Sequence, residues 1–124
     1  MSTLSRTRPS VGGLNGAVAS AHPLASQAGL ETLRTGGNAI DAIVATAATL
    51  NVVEPYMRGI GGVGFLLFHP TGGDTRVLNF SGYAPRAATA DQLTPEDQDI
   101  GPKACLVPCN LGGWLEALQA HGTQ

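Results

Sequence analysis

Aromatic side chains make up only 5% of this sequence, charged ones 13%, and cysteine occurs twice. Few large rings exclude a core built on aromatic stacking. With 17 glycines and 43% hydrophobic residues, one domain of closely packed helices and strands joined by many turns is expected instead. A net charge of −2 gives no electrostatic case for nucleic acid or an anionic membrane surface, so neither is an expected partner. The longest apolar stretch, Ala39 to Val53, is broken by Asp41, Thr46, Thr49 and Asn51 and is too short and too polar to cross a bilayer. The leading MSTLSRTRPSVGG lacks the apolar run of a signal peptide, so a soluble, cytoplasmic protein is expected. Cys105 and Cys109 are expected as two buried thiols. His22, His69 and His121 are scattered without converging spacing, so no metal or other cofactor is expected.

What the sequence does contain is an organised stretch from His22 to Gly64. Pro23 suits the first turn of a helix, where a missing N–H costs nothing. That helix is expected over residues 23–35, with Leu24, Ala28, Leu30 and Leu33 facing inward, and it ends at Gly36-Gly37. Asn38 then reads as an N-cap, and Asp41 stands where a capping-box acid belongs. The second helix, residues 38–52, shows Ile40, Ile43, Val44 and Ala47 on one face and alanines on the others. A helix apolar nearly all round is buried on more than one side.

Around this stretch the remaining elements are shorter. Residues 1–15 read as a flexible lead-in, and Ala17 to Ser20 as a short buried strand. Proline after Glu54 ends the second helix. Gly64 to His69 and Thr75 to Phe80, joined by a glycine-containing turn, read as an antiparallel hairpin. A weak helical turn is expected near Thr94 to Asp97. A last helix is expected over Gly112 to His121, with Trp114, Leu115 and Leu118 on one side. The sum is a mixed α/β (α+β) chain with helices on a sheet face.

Gly59 to Gly64 spells G-x-G-x-x-G, but a dinucleotide loop follows a strand and opens a helix, and here the order is reversed. Glycines needed for positive φ and close backbone approach explain the motif better. A strand immediately before Gly59 would revive the nucleotide reading. Glu54 and Arg58 flank this loop as an ion pair, expected to be solvated rather than buried. No Ser-His-Asp or Cys-His grouping stands out, and Asp97 and Asp99 lie in a solvated stretch.

The segments SAHPLASQAGLETLRTGGNAIDAIVATAATLNVVEP, GIGGVGFLLFH, VLNFSGYAP and VPCNLGGWLEALQAHGT, in that order from about Gly16 onward, resemble the gamma-glutamyltransferase (gamma-glutamyltranspeptidase) family. The resemblance implies an N-terminal-nucleophile hydrolase, an αββα sandwich of which residues 16–124 are a fragment from the front of the large subunit. It further implies a precursor that cleaves itself, exposing a threonine whose own α-amino group acts as base. That threonine would transfer a gamma-glutamyl or related acyl group to water or an amino acid. It would lie in the small subunit, the expected protein partner, outside this chain, so this chain alone is expected to be inactive.

Three positions depart from the family pattern. Ser81 stands where the transferases that act on glutathione carry an arginine that clamps the substrate's α-carboxylate. Ser81 is thus the candidate substrate-binding position, and acylase-like relatives become an alternative. Val63 and Cys109 replace usual glycines. A non-catalytic remnant or interaction module is the other open reading.

Overall fold

The computed structural model describes residues 10–123. Its elements run α1 (Pro23–Arg34), α2 (Ala39–Val53), β1 (Gly64–Phe68), β2 (Arg76–Phe80), α3 (Pro95–Asp99) and α4 (Asn110–His121), with 3-10 turns at Ala90–Gln92 and Pro102–Ala104. No helix among the described residues is long and apolar enough to cross a membrane.

Both ends of α1 follow from its sequence. The His22 ring accepts the Leu24 N–H at 3.2 Å, Pro23 opens the helix, and Gly36 takes φ +97° just beyond Thr35. Its buried face, however, is Ala25 and Gly29, whereas Leu24 is 54% and Leu30 39% exposed. The expected inward face is corrected at Leu24 and Leu30 by close helix approach, while Ala28 and Leu33 are half-buried. A Cβ on Gly29 would strike Thr46 Oγ1 and lie 3.0 Å from the Ala42 carbonyl of α2. Small residues at the contact draw the two axes together and leave the leucines on the flanks.

The cap of α2 forms as the sequence indicates. Asn38 Oδ1 accepts the N–H of Ile40 and Asp41, and Asp41 Oδ2 accepts the Asn38 N–H at 2.8 Å. Ala42 and Thr46 face α1, and α4 packs on another side. Thr46 satisfies its buried hydroxyl on the Ala42 carbonyl at 2.7 Å. Ile43, by contrast, is 41% exposed, so the third side is open rather than covered.

The hairpin pairs Gly64 with Phe80, Leu66 with Leu78 and Phe68 with Arg76. Gly72, at φ +73°, and a bond from the Gly73 N–H to the Pro70 carbonyl shape its turn. Leu66, Phe68, Leu78 and Phe80 are half-buried on one face, while Phe65, Leu67 and Val77 stand exposed on the other. Helix α4 starts at Asn110, two residues earlier than expected, and buries Gly113 and Ala117. Leu115 is exposed, against expectation, because Phe80 of β2 sits where a Cβ of Gly113 would be. Again the small residues make the contact.

Two more expectations are corrected. Residues 17–20 form no strand, since no partner strand lies beside them among the described residues. Cys105 is exposed and Cys109 half-buried, both free, because residues 105–108 run extended over the surface. Of the expected lead-in, residues 1–9 lie outside the described residues, and residues 10–15 hold no helix or strand.

The α2 cap also reaches across the chain. Asn38 Nδ2 donates to the His121 carbonyl at 2.6 Å, and the Asp41 carboxylate accepts both the N–H (3.0 Å) and the hydroxyl (2.7 Å) of Thr123. Asp41 is buried, and removing its carboxylate takes away the capping-box bond to the Asn38 N–H together with both bonds to Thr123. Asp41→Ala is expected to lower the unfolding free energy by about 2 kcal/mol in a urea titration. A midpoint equal to the parent's would show that the end of α4 is held by other contacts.

Candidate functional site

The site is built where β2 ends. Phe80 carries the strand's inner face to its last residue, and the chain then turns through Ser81 and Gly82. Ser81 is half-buried, and its N–H donates to Asn79 Oδ1 at 2.9 Å. The side chain that caps this turn is thus that of Asn79 rather than the Ser81 hydroxyl.

Two other segments close on the turn. The Gly59–Gly64 stretch runs from the end of α2 into β1, so helix precedes and strand follows, and the nucleotide reading has no strand to stand on. None of its glycines has positive φ, which corrects one half of the explanation given for them. Close approach holds at two of the four: a Cβ would lie 2.9 Å from the Gly59 carbonyl oxygen at Gly62 and 2.9 Å from the Phe80 ring at Gly64, whereas Gly59 and Gly61 face open space.

The third segment, residues 106–110, straps the first two together. Val107 N–H donates to the Tyr83 carbonyl at 2.9 Å. The Gly62 carbonyl accepts from Cys109 N–H (3.2 Å) and Asn110 N–H (2.9 Å), and Asn110 Nδ2 donates to the Gly59 carbonyl at 3.0 Å. Sequence reasoning missed Asn110 and this strap. The partners lie roughly fifty residues away along the chain, and no local pattern announces them.

Beside the loop opens an apolar groove of about 530 Å³, lined by α2 (Ile43, Ala47, Leu50), β1 (Leu66), Phe80 and Trp114. Arg58 lies at its edge, ion-paired with Glu54. The Glu54 side chain is 12% exposed and that of Arg58 40%, so this pair is less solvated than expected. Three carboxyls are held below their ordinary range: Asp91 by the Thr89 side chain, Glu96 by its own backbone N–H, and Asp97 by the Thr94 N–H. They belong to the exposed 89–99 segment and line no part of the groove. Among the described residues no three His, Cys, Asp or Glu side chains converge on a common point.

A family model described as gamma-glutamyltranspeptidase matches residues 25–124. The chain belongs to the gamma-glutamyltranspeptidase family. It is 43% identical over 121 residues to a glutathione hydrolase proenzyme of Bacillus subtilis, covering 90% of this chain and 21% of that protein. It is 42% identical over 124 residues to an acylase ACY 1 proenzyme of Pseudomonas sp., with 90% and 22% covered. The crystal structure of Helicobacter pylori gamma-glutamyltranspeptidase superposes with a TM-score of 0.87 at 36% identity, over 94% of this chain and 35% of that one. The chain thus spans about a fifth of the length of the curated relatives it matches. Its mixed helix-and-strand fold is that of the corresponding part of these N-terminal-nucleophile hydrolases.

Within the gamma-glutamyltranspeptidase family, near-equal identity to a glutathione hydrolase and to an acylase leaves overall similarity unable to choose between substrates.

Proposed function

We propose that residues 16–124 are the front part of the large subunit of a gamma-glutamyltransferase-like enzyme, with residues 1–15 leading into it. The enzyme transfers a gamma-glutamyl or related acyl group to water or an amino acid. Its nucleophile is a threonine outside this chain, on a small subunit cut from the same precursor, with the freed α-amine as base. The observation that carries the reading is the family match across residues 25–124. That the relatives are named proenzymes supports the self-cleaving precursor.

Within this frame Ser81, which follows the groove-lining Phe80 without itself lining the groove, is the substrate-facing position at the groove's mouth. A short neutral side chain there cannot clamp an α-carboxylate as a guanidinium does. Acyl donors without a free α-amino-acid head group are therefore the alternative to gamma-glutamyl substrates, and both kinds of enzyme occur among the relatives.

The test is expression of the full-length polypeptide that contains this chain. It is expected to split into two subunits on a denaturing gel and to hydrolyse a gamma-glutamyl or a simple acyl anilide. A full-length protein that stays uncut and turns over neither would overturn the proposal. The 124-residue chain alone is expected to show no cleavage and no hydrolysis. Activity above a buffer blank that survives repurification would place the nucleophile within it.

A further inference from the structure

The turn that carries Ser81 is wedged in place by a side chain from another segment. Gly82 has φ +84°, a conformation that disfavours any residue with a Cβ. Space is denied there as well. A Cβ on Gly82 would lie 2.8 Å from Val63 Cγ1, 2.9 Å from the Val107 carbonyl oxygen and 3.3 Å from Leu106 Cβ. Gly82 is therefore held between the glycine loop on one side and the 106–110 strap on the other. Strap and loop are themselves tied by the bonds from Cys109 and Asn110 to the Gly62 carbonyl.

Val63 is the side chain through which the loop reaches the turn. It remains 42% exposed, so its apolar burial is modest and its larger effect is geometric. A β-branched residue also stiffens the loop where the family resemblance puts glycine. We infer that Val63 is a positioning residue for substrate selection: its Cγ1 methyl, packed against Gly82, fixes the backbone that presents Ser81 at the mouth. The inference rests on the reading of Ser81 as substrate-facing. Loop, turn and strap then act as one unit, and a loosened Val63 contact moves the mouth without touching any reacting group.

The experiment compares Val63→Gly, Val63→Ala and Val63→Ile in the full-length protein, with Ser81→Arg alongside. Val63→Gly is expected to raise KM for a simple acyl anilide about three- to tenfold while kcat stays within about twofold. Val63→Ala is expected to fall between Gly and parent, and Val63→Ile, which keeps the methyl, to match the parent. In the same full-length proteins, exchange of the Ser81 amide is expected to quicken about fivefold or more in Val63→Gly and not in Val63→Ile. If Val63→Gly and Val63→Ala lower Tm yet leave KM and Ser81 exchange at parent values, Val63 is merely structural and the inference fails. Should Ser81→Arg still shift the substrate ratio in that case, the reading of Ser81 survives. Should Ser81→Arg leave the ratio unchanged, that reading falls, and this inference falls with it. A full-length protein without acyl-transfer activity overturns both.

Discussion

Replacing Gly29 by valine is expected to cost about 3 kcal/mol of stability, more than any surface change in this chain. Two effects oppose each other at this position. Valine favours a helix over glycine by roughly half a kcal/mol, which alone would stabilise α1. Against this, a Cβ at residue 29 meets Thr46 Oγ1, the Ala42 carbonyl oxygen at 3.0 Å and Val18 Cγ1 at 3.0 Å. Thr46 is only 1% exposed and bonded to that same carbonyl, so it has nowhere to turn. The carbonyl belongs to the α2 backbone and yields only if the whole helix moves. Overpacking of a site this tight costs about 1–3 kcal/mol for a single methyl and more for a branched side chain, so sterics win over propensity. With roughly 4–8 °C of Tm per kcal/mol in a domain of this size, the valine variant should melt more than about 10 °C below the parent. Calorimetry or a CD melt reads this directly. A Tm within about 3 °C of the parent would show that α1 and α2 separate at Gly29 without cost.

The same site shows where sequence reading reached and where it stopped. Helix ends were legible because their signals are local: Pro23 in the first turn, Thr35 with Gly36, and Asn38 with Asp41 each act within a few residues, although the His22 ring as cap was not foreseen. The hairpin was legible for the same reason, since the Pro70–Gly73 turn and the flanking apolar runs are short-range signals. Which faces turn inward was not. Hydrophobic periodicity pointed to Leu24, Leu30 and Leu115, whereas Ala25, Gly29, Gly113 and Ala117 make the contacts. Periodicity assumes that bulk marks the core, and a chain rich in glycine and alanine packs by close approach instead. Asp41 shows the same limit in polar form. Its capping role was readable, but the bonds to Thr123 span 82 residues and have no local signature. At the site, the place of Ser81 at a strand end was legible. The wedge of Val63 against Gly82 and the strap through Asn110 were not, because each joins segments that only the fold brings together.

Ser81→Arg in the full-length enzyme is expected to raise glutathione use about ten- to a hundredfold relative to an acyl donor lacking the α-carboxylate. The magnitude follows from the bond it would add. A charge-assisted, bidentate contact between guanidinium and carboxylate is worth roughly 1.5–3 kcal/mol, and each 1.4 kcal/mol is tenfold in kcat/KM. The structure bears on whether an arginine can be accommodated. Ser81 is half-buried at the end of β2, and its backbone N–H is held by Asn79, so the position of its Cα does not depend on the serine hydroxyl. A longer side chain is therefore expected to leave the turn intact and extend from a fixed base. Asn79→Ala in the same background separates fixation from charge: with the 2.9 Å bond gone, the arginine should lose part of its advantage while the charge stays in place. The readout is the ratio of kcat/KM on glutathione to kcat/KM on the simple acyl substrate, which cancels any general loss of active enzyme. If the arginine leaves that ratio unchanged while the protein folds and cleaves itself normally, residue 81 does not face the substrate. The choice between glutathione and other acyl donors would then have to be made by residues beyond this chain.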